Sequence, residues 1–263
     1  MSYMRMDVLP ELRKPVLIAA FLGWNDAAQA ATSAVQHLIS HYRAEKFAEV
    51  DPEDFFDFTE ARPRVVLDDG GQRQLVWPAN EFYYHAAPTL PHDLVFFLGI
   101  EPHLKWRTFT STLVDTARQC GVATVLMLGA LVADVAHTRP VRLTGSSNDP
   151  ALRERLRALK VAGSRYEGPT GIVGALSDAC TRAALPVASM WGNVPHYISA
   201  TPNPKVMHSL LERLDGFLHL GIELQTLARA AQQFDVQVSE AVRRTPSVAT
   251  YVRELERRGS AEG

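Results

Sequence analysis

Five stretches of the chain place side chains capable of chemistry directly after, or between, apolar runs. Trp24 and Asn25 follow residues 16–22, and Glu101 and His103 follow residues 94–98, with Trp106 and Arg107 just beyond. Asp134, His137 and Arg139 follow residues 122–131, Thr170 and Gly171 lie in a glycine-rich stretch, and Trp191, His196 and Tyr197 end the last apolar run and its loop. In an open α/β sheet, polar groups beyond the carboxyl ends of central strands sit where ligands and partners bind. Glu101 with His103, joined by Asp134 and Asp178 if their loops meet, has the composition of a general acid/base set. His103, His137 and His196 would hold a zinc ion only if three separate loops converged. Gly168, Gly171 and Gly174 would turn free backbone N–H groups toward a phosphate or carboxylate at a helix start.

Each of these has a plainer reading. Glu101 equally suits a helix start, accepting backbone N–H groups while Arg107 and Arg139 neutralise it. Loop histidines commonly hydrogen-bond to near neighbours, and glycines commonly just serve a turn. Trp106, Trp191 and Tyr197 line a pocket, anchor an interface or fill core. The named catalytic patterns are missing: there is no Gly-x-Ser-x-Gly elbow, no Walker-type glycine loop with Lys and a hydroxyl residue, and no dinucleotide spacing in the glycine series. No cofactor and no metal site is therefore expected, and His37 and His41, four apart without a third ligand, read as an exposed helix end.

The elements needed to position these residues follow from periodicity. Residues 16–22, 94–98, 122–131 and 186–191 are continuous apolar runs of strand length. Between them, residues such as Phe109, Leu113, Ala117 and Cys120 recur at the helical period. Asn25 or Asp26 stands ready to cap the first helix, a short aromatic strand is expected at 55–59, and residues 64–67 pair with 74–77 across Asp68-Asp69-Gly70-Gly71 as a hairpin near the sheet edge. A short strand is read at 141–143, a turn at 145–150, and helices over 151–159 and from the glycine stretch through Ala184. Beyond Pro204 the pattern is helical only: 206–220, 222–234, and a short final helix capped by Ser247, with Gly259 to Gly263 fraying. The reading is an α/β core over 1–220 with a helical extension over 221–258 that packs on the core or on another subunit.

Composition narrows the classes of partner. A net charge of -2 with scattered arginines leaves no nucleic-acid footprint, and 46% hydrophobic with 21% charged residues is ordinary for a globular protein. No stretch approaches a membrane span, and the two cysteines, Cys120 and Cys180, read as buried thiols of a cytoplasmic protein.

Taken together, Phe21-Leu-Gly-Trp-Asn-Asp26, Leu98-Gly-Ile-Glu-Pro-His103, Leu128 to Pro140 with Gly145, Tyr166-Glu-Gly-Pro-Thr-Gly-Ile-Val-Gly174 and Trp191-Gly-Asn-Val-Pro-His-Tyr197 resemble the proteasome assembly chaperone family, in its actinobacterial branch. The resemblance implies a three-layer α/β/α fold with a mixed central sheet, similar to the phosphorylase/hydrolase-like group. It also implies self-association as a homo-oligomer, a link to proteasome subunits, and no established catalysis. Several members dock through a hydrophobic-Tyr-x tail, whereas this chain ends Arg258-Gly-Ser-Ala-Glu-Gly263, so contact through the folded surface is expected instead. Two functions stay open on the residues alone. One is a non-enzymatic assembly protein. The other is a small-molecule enzyme or binder of a nucleoside-like or anionic ligand at Glu101, His103, Asp134, His137, Gly171 and His196.

Overall fold

A computed structural model describes residues 3–259. Its strands are β1 (Met4–Met6), β2 (Val16–Leu22), β3 (Glu45–Val50), β4 (Arg64–Leu67), β5 (Arg73–Val76), β6 (Glu81–His85), β7 (Leu94–Ile100), β8 (Thr124–Ala133), β9 (Leu143–Ser147), β10 (Ala162–Gly163) and β11 (Val187–Pro195). Its helices are α1 (Ala30–Tyr42), α2 (Trp106–Gln119), α3 (Pro150–Ala158), α4 (Ile172–Arg182), α5 (Pro204–Leu218), α6 (Gln225–Arg243) and α7 (Pro246–Gly259). The apolar runs become the parallel centre of a nine-stranded sheet ordered β1-β3-β6-β7-β2-β8-β11-β9-β10. β7, β2, β8 and β11 run parallel, while β6 on one flank and β9 on the other run antiparallel to them and β3 pairs antiparallel with β6.

The central strands are continuous apolar runs because both of their faces are covered. Alternate residues of β2 point to opposite sides. Ile18 and Ala20 join Phe96 and Leu128 beneath α1, α3 and α5, whereas Leu17, Ala19 and Phe21 join Phe97 and Val125 beneath α2 and α4. The result is the expected three-layer α/β/α arrangement with a mixed sheet.

Several local expectations are corrected. The aromatic run at 55–59 is not a strand: Phe55 and Phe56 N–H groups both donate to the Pro52 carbonyl (3.0 and 3.2 Å), and the run is apolar because Phe55 packs against Phe109 (5.2 Å between rings). The β4–β5 hairpin forms as expected but stands apart as its own two-stranded sheet; the antiparallel flank is built by β1, β3 and β6, which alternation alone does not flag. β9 takes up Gly145 to Ser147, read as a turn, because those residues pair with β11, and β11 itself runs on to Pro195. α6 continues to Arg243, well past 234, as an amphipathic helix along α5. Ser247 lies inside the first turn of α7, behind Pro246, rather than ahead of it as a cap. Gly259 closes α7; the rest of the expected fraying tail, and the ending compared with docking tails, lies outside the described residues.

One buried acid anchors the entry to this core. Asp93 accepts from Arg13 N (2.6 Å), Arg13 Nη2 (2.9 Å) and Ala87 N (2.9 Å), its N–H donates to Arg13 O, and its carbonyl accepts from Val16 N at the start of β2. Burial alone would raise its pKa, but the hydrogen bonds and the Arg13 guanidinium outweigh that and hold it below the usual carboxylate value. A depressed folded-state pKa stabilises above the unfolded value, about 3.9, and that contribution is lost as pH falls through the folded value. Asp93→Asn is expected to lower unfolding free energy by about 1–3 kcal/mol at neutral pH. Urea titrations at pH 7 and pH 3 should show the gap between wild type and variant shrinking in acid; a gap independent of pH contradicts the assignment.

Candidate functional site

The carboxyl ends of β2, β7, β8 and β11 all leave the sheet along one edge, because the four strands are parallel. After β2 the chain turns at Gly23 (φ +127), and Asn25 O accepts from Ala130 N (2.9 Å), which lays this turn beside the end of β8. Asp26 then reaches forward to cap α1, accepting from Ala31 N (2.7 Å), Thr32 N (3.2 Å) and the Thr32 hydroxyl. Burial raises its pKa in spite of those bonds.

Glu101 is the centre of the first cluster. Its Oε1 accepts from Asn25 Nδ2 (2.8 Å) and from Ile172 N (2.7 Å) at the start of α4, and Oε2 accepts from Trp24 N (3.3 Å). A carboxylate at a helix N-terminus is favoured by the helix dipole. The anion held by the glycine-rich stretch is therefore the protein's own side chain. Gly171 is required by proximity: a Cβ there would lie 2.3 Å from Asn25 Oδ1 and 2.7 Å from Glu101 Oε1. Thr170 beside it is exposed. Glu101 does serve a helix start, but that of α4 rather than of α2. Arg107 instead lines a groove between α2 and α4 with Asp178 and Arg182.

The strand-end side chains do not gather into one site. His103 turns away from Glu101, its Nδ1 accepting from Asp57 N (3.0 Å) and its ring edge-on to Phe56. Trp106 donates to Pro102 O (2.6 Å) and packs in the α2–α4 core, as does Trp191, whose ring occupies the place a Cβ on Gly129 would need. Asp134, His137, Arg139, His196 and Tyr197 form a second cluster under the C-terminal helices. His137 Nδ1 meets Tyr197 Oη (2.8 Å) and Nε2 meets Ser239 Oγ on α6 (3.0 Å); burial lowers its pKa in spite of the nearby Asp235 carboxylate. Asp134 accepts from Tyr251 Oη (3.2 Å) and lies 3.3 Å from His196 Nδ1, while Arg139 donates to Glu256 O (3.0 Å), both partners on α7. The three histidines do not converge, and among the described residues no three His, Cys, Asp or Glu side chains group as metal ligands.

Sequence reading missed what this second cluster holds. Ser239, Asp235, Tyr251 and Glu256 come from the helical extension, and the only advance signal is the Val248, Tyr251, Val252, Leu255 stripe that packs on Ala136. It also missed a solvent-open groove of about 660 Å³ between α1 and the hairpin, walled by Thr32, Gln36 and His37 on one side and Val76, Trp77 and Ile100 on the other. The strand-end edge also projects large apolar groups among exposed polar ones such as Asp134 and Thr170: Trp24 is 64% exposed, Val132 61%, and Tyr166, on the loop leading to Gly171, 67%.

With this geometry in place, comparison with known proteins is decisive for the family. The PAC2 family model matches residues 20–242. The chain belongs to the PAC2 family. It is similar to a PAC2 family protein from Streptomyces avermitilis (44% identity, TM-score 0.83, covering 90% of this chain and 99% of that one). It is also similar to a Mycobacterium tuberculosis proteasome-assembly chaperone homologue (38%, TM-score 0.81, covering 90% and 99%). A Mycobacterium tuberculosis protein of unknown function is 26% identical with a TM-score of 0.86, covering 99% of this chain and 89% of that one. No curated protein matches. The matched span takes in the first cluster and the second as far as Ser239 on α6, while Tyr251 and Glu256 on α7 lie beyond it. Among the described residues no helix is long and apolar enough to cross a membrane.

If Glu101 positions α4, its replacement should be felt as stability. Glu101→Gln sets an amide among the donors Asn25 Nδ2, Trp24 N and Ile172 N, and is expected to destabilise by about 1–3 kcal/mol. Gly171→Ala forces the same contacts apart, with a similar loss of about 1–3 kcal/mol. Thermal unfolding of both variants at wild-type levels would refute the assignment.

Proposed function

We propose that this chain acts by protein contact, as an assembly-chaperone-like factor that self-associates and engages a proteasome subunit through its folded surface. The supporting observation is the character of the strand-end edge. Glu101, Asp134 and His137, the side chains best suited to chemistry there, are committed to bonds within the chain, while Trp24, Val132 and Tyr166 stand exposed. Exposed aromatic and aliphatic side chains set among polar ones are characteristic of protein-interaction sites. The relative named as a proteasome-assembly chaperone homologue supplies the class of partner. In this reading the helical extension over 221–258 is a strap, clasped through His137 and Arg139, that braces the same edge. The cytoplasm is the proposed compartment, since Cys120 and Cys180 are buried unpaired thiols.

A small-molecule role is favoured by one observation only, and at a different place from the strand-end loops. The groove between α1 and the hairpin falls within the roughly 300–1,000 Å³ of ligand sites. A thermal-shift screen with nucleosides and phosphate that leaves the melting temperature unmoved counts against that second role.

For the first, purified proteasome α-subunits mixed with the chain should show capture or faster ring formation on native gels. Trp24→Asp is expected to weaken capture at least tenfold, about 1.4 kcal/mol, because exposed aromatics dominate such interfaces. Its stability should stay within about 0.5 kcal/mol of wild type, as for other surface changes. Undiminished capture by Trp24→Asp removes this edge as the contact, and wild type that binds no α-subunit removes the proteasome link.

A further inference from the structure

The β4–β5 hairpin is fully formed yet covered by nothing. All residues of both strands are exposed, with Val65 57%, Leu67 67% and Leu75 59% exposed on one face, and among the described residues β4 pairs with β5 alone. Its turn is well made: Asp68 Oδ1 accepts from Gly70 N (3.0 Å) and Gln72 N (2.9 Å), with Gly71 at φ +74. Two-stranded hairpins alone are marginal in water, and natural edge strands are usually blunted by Lys, Pro or bulges. β4, Arg64-Val-Val-Leu67, has none of these.

The phase of the ladder shows which groups the free edge offers. Asp68 N donates to Gln72 O (3.0 Å), so that pair is a hydrogen-bonded one, and along the register the Val66/Gln74 pair is the next. The N–H and C=O groups of Val65 and Leu67 therefore point away from β5, unpaired. We propose that this edge recognises itself: β4 of a second copy of this chain pairs antiparallel with it, about a two-fold axis at Val66. That register sets Val65 opposite Leu67 of the second copy, so the outward groups of both exchange main-chain hydrogen bonds. It also sets Arg64, which makes no ion pair among the described residues, opposite Asp68 of the second copy. The segment Arg64-Val-Val-Leu-Asp68 is self-complementary in charge and in size. An axis at Val65 would oppose Leu67 to Pro63, which has no N–H, and β5 carries a single charge, Arg73, so no self-pairing of that edge joins opposite charges. An isologous contact of this kind closes a dimer and leaves no open hairpin edge at β4.

This names the surface of the self-association proposed above and rests on that reading for the existence of an oligomer. Val66→Cys tests the axis. Val66 and its mate form a non-hydrogen-bonded pair about 4.5 Å apart at Cα, inside the roughly 4.4–6.8 Å that a disulfide spans. Mild oxidation should convert Val66→Cys to covalent dimer, while Val65→Cys, whose own mate is diagonal, and wild type, whose cysteines are buried, should not cross-link. Val65→Pro removes one outward N–H without touching the β4–β5 ladder, and in sedimentation velocity should lower the associated mass twofold. An associating wild type with Val66→Cys that resists oxidation, or Val65→Pro at wild-type mass, overturns the β4 axis while leaving self-association standing. A wild type that stays monomeric across concentration overturns both.

Discussion

Glu101 sits where the ends of β2 and β7 meet the start of α4, and its carboxylate joins the Trp24 turn, Asn25 and the Ile172 N–H in one bonded unit. Much of the strand-end edge follows from this. Held from below by Glu101, the turn after β2 can lend Asn25 O to Ala130 N and so fix the end of β8, while Asp26, one residue on, starts α1. Glycine at 171 follows from this closeness, because a Cβ there would press on Asn25 Oδ1 and the Glu101 carboxylate, whereas glycine at 23 serves the positive φ of the turn, with the Glu101 Cβ close beside it. A residue that resembles a catalytic acid in the sequence is thus the part that makes the edge rigid enough to present Trp24.

The second cluster works by a similar logic on the other side of β8. His137 is enclosed by Tyr197 and Ser239, and Lys205 bridges the His137 carbonyl and Asp235 on α6. These bonds, with the Ala136–Val252–Leu255 contacts, hold two amphipathic helices of which few side chains are otherwise buried. Polar residues of strand-end loops therefore serve as fasteners in this fold. That agrees with the proposal that exposed apolar groups, rather than acids and bases, make contact.

The parts legible in the sequence were those set by two-sided burial. β2, β7, β8 and β11 are apolar without alternation because helices cover both faces, and runs of that kind leave one interpretation. The helix of Trp106, Phe109, Leu113 and Ala117 was equally plain from its period. What the sequence concealed was partnership at a distance. β3 reads Glu-Lys-Phe-Ala-Glu-Val, and only its pairing with β1 and β6 makes it a strand. Phe55 and Phe56 looked like strand because burial alone was visible, not the turn on Pro52 that buries them. His103, His137 and His196 each follow a strand, yet which way a loop side chain turns depends on neighbours such as Asp57 or Ser239, far off in the chain. The family likeness carried more of the fold than any local rule, since it drew on five segments at once.

Gly129 and Trp191 face each other across the β8–β11 ladder, with the indole filling the room that a side chain on Gly129 would take. The two positions are in effect one: the pair has a fixed total volume, divided so that one strand gives nothing and the other everything. Over evolutionary time neither can drift alone. A larger residue at 129 becomes tolerable only in a lineage where 191 has already shrunk, so homologous chains should sort into discrete pairings at these sites, with Gly129–Trp191 as one of them.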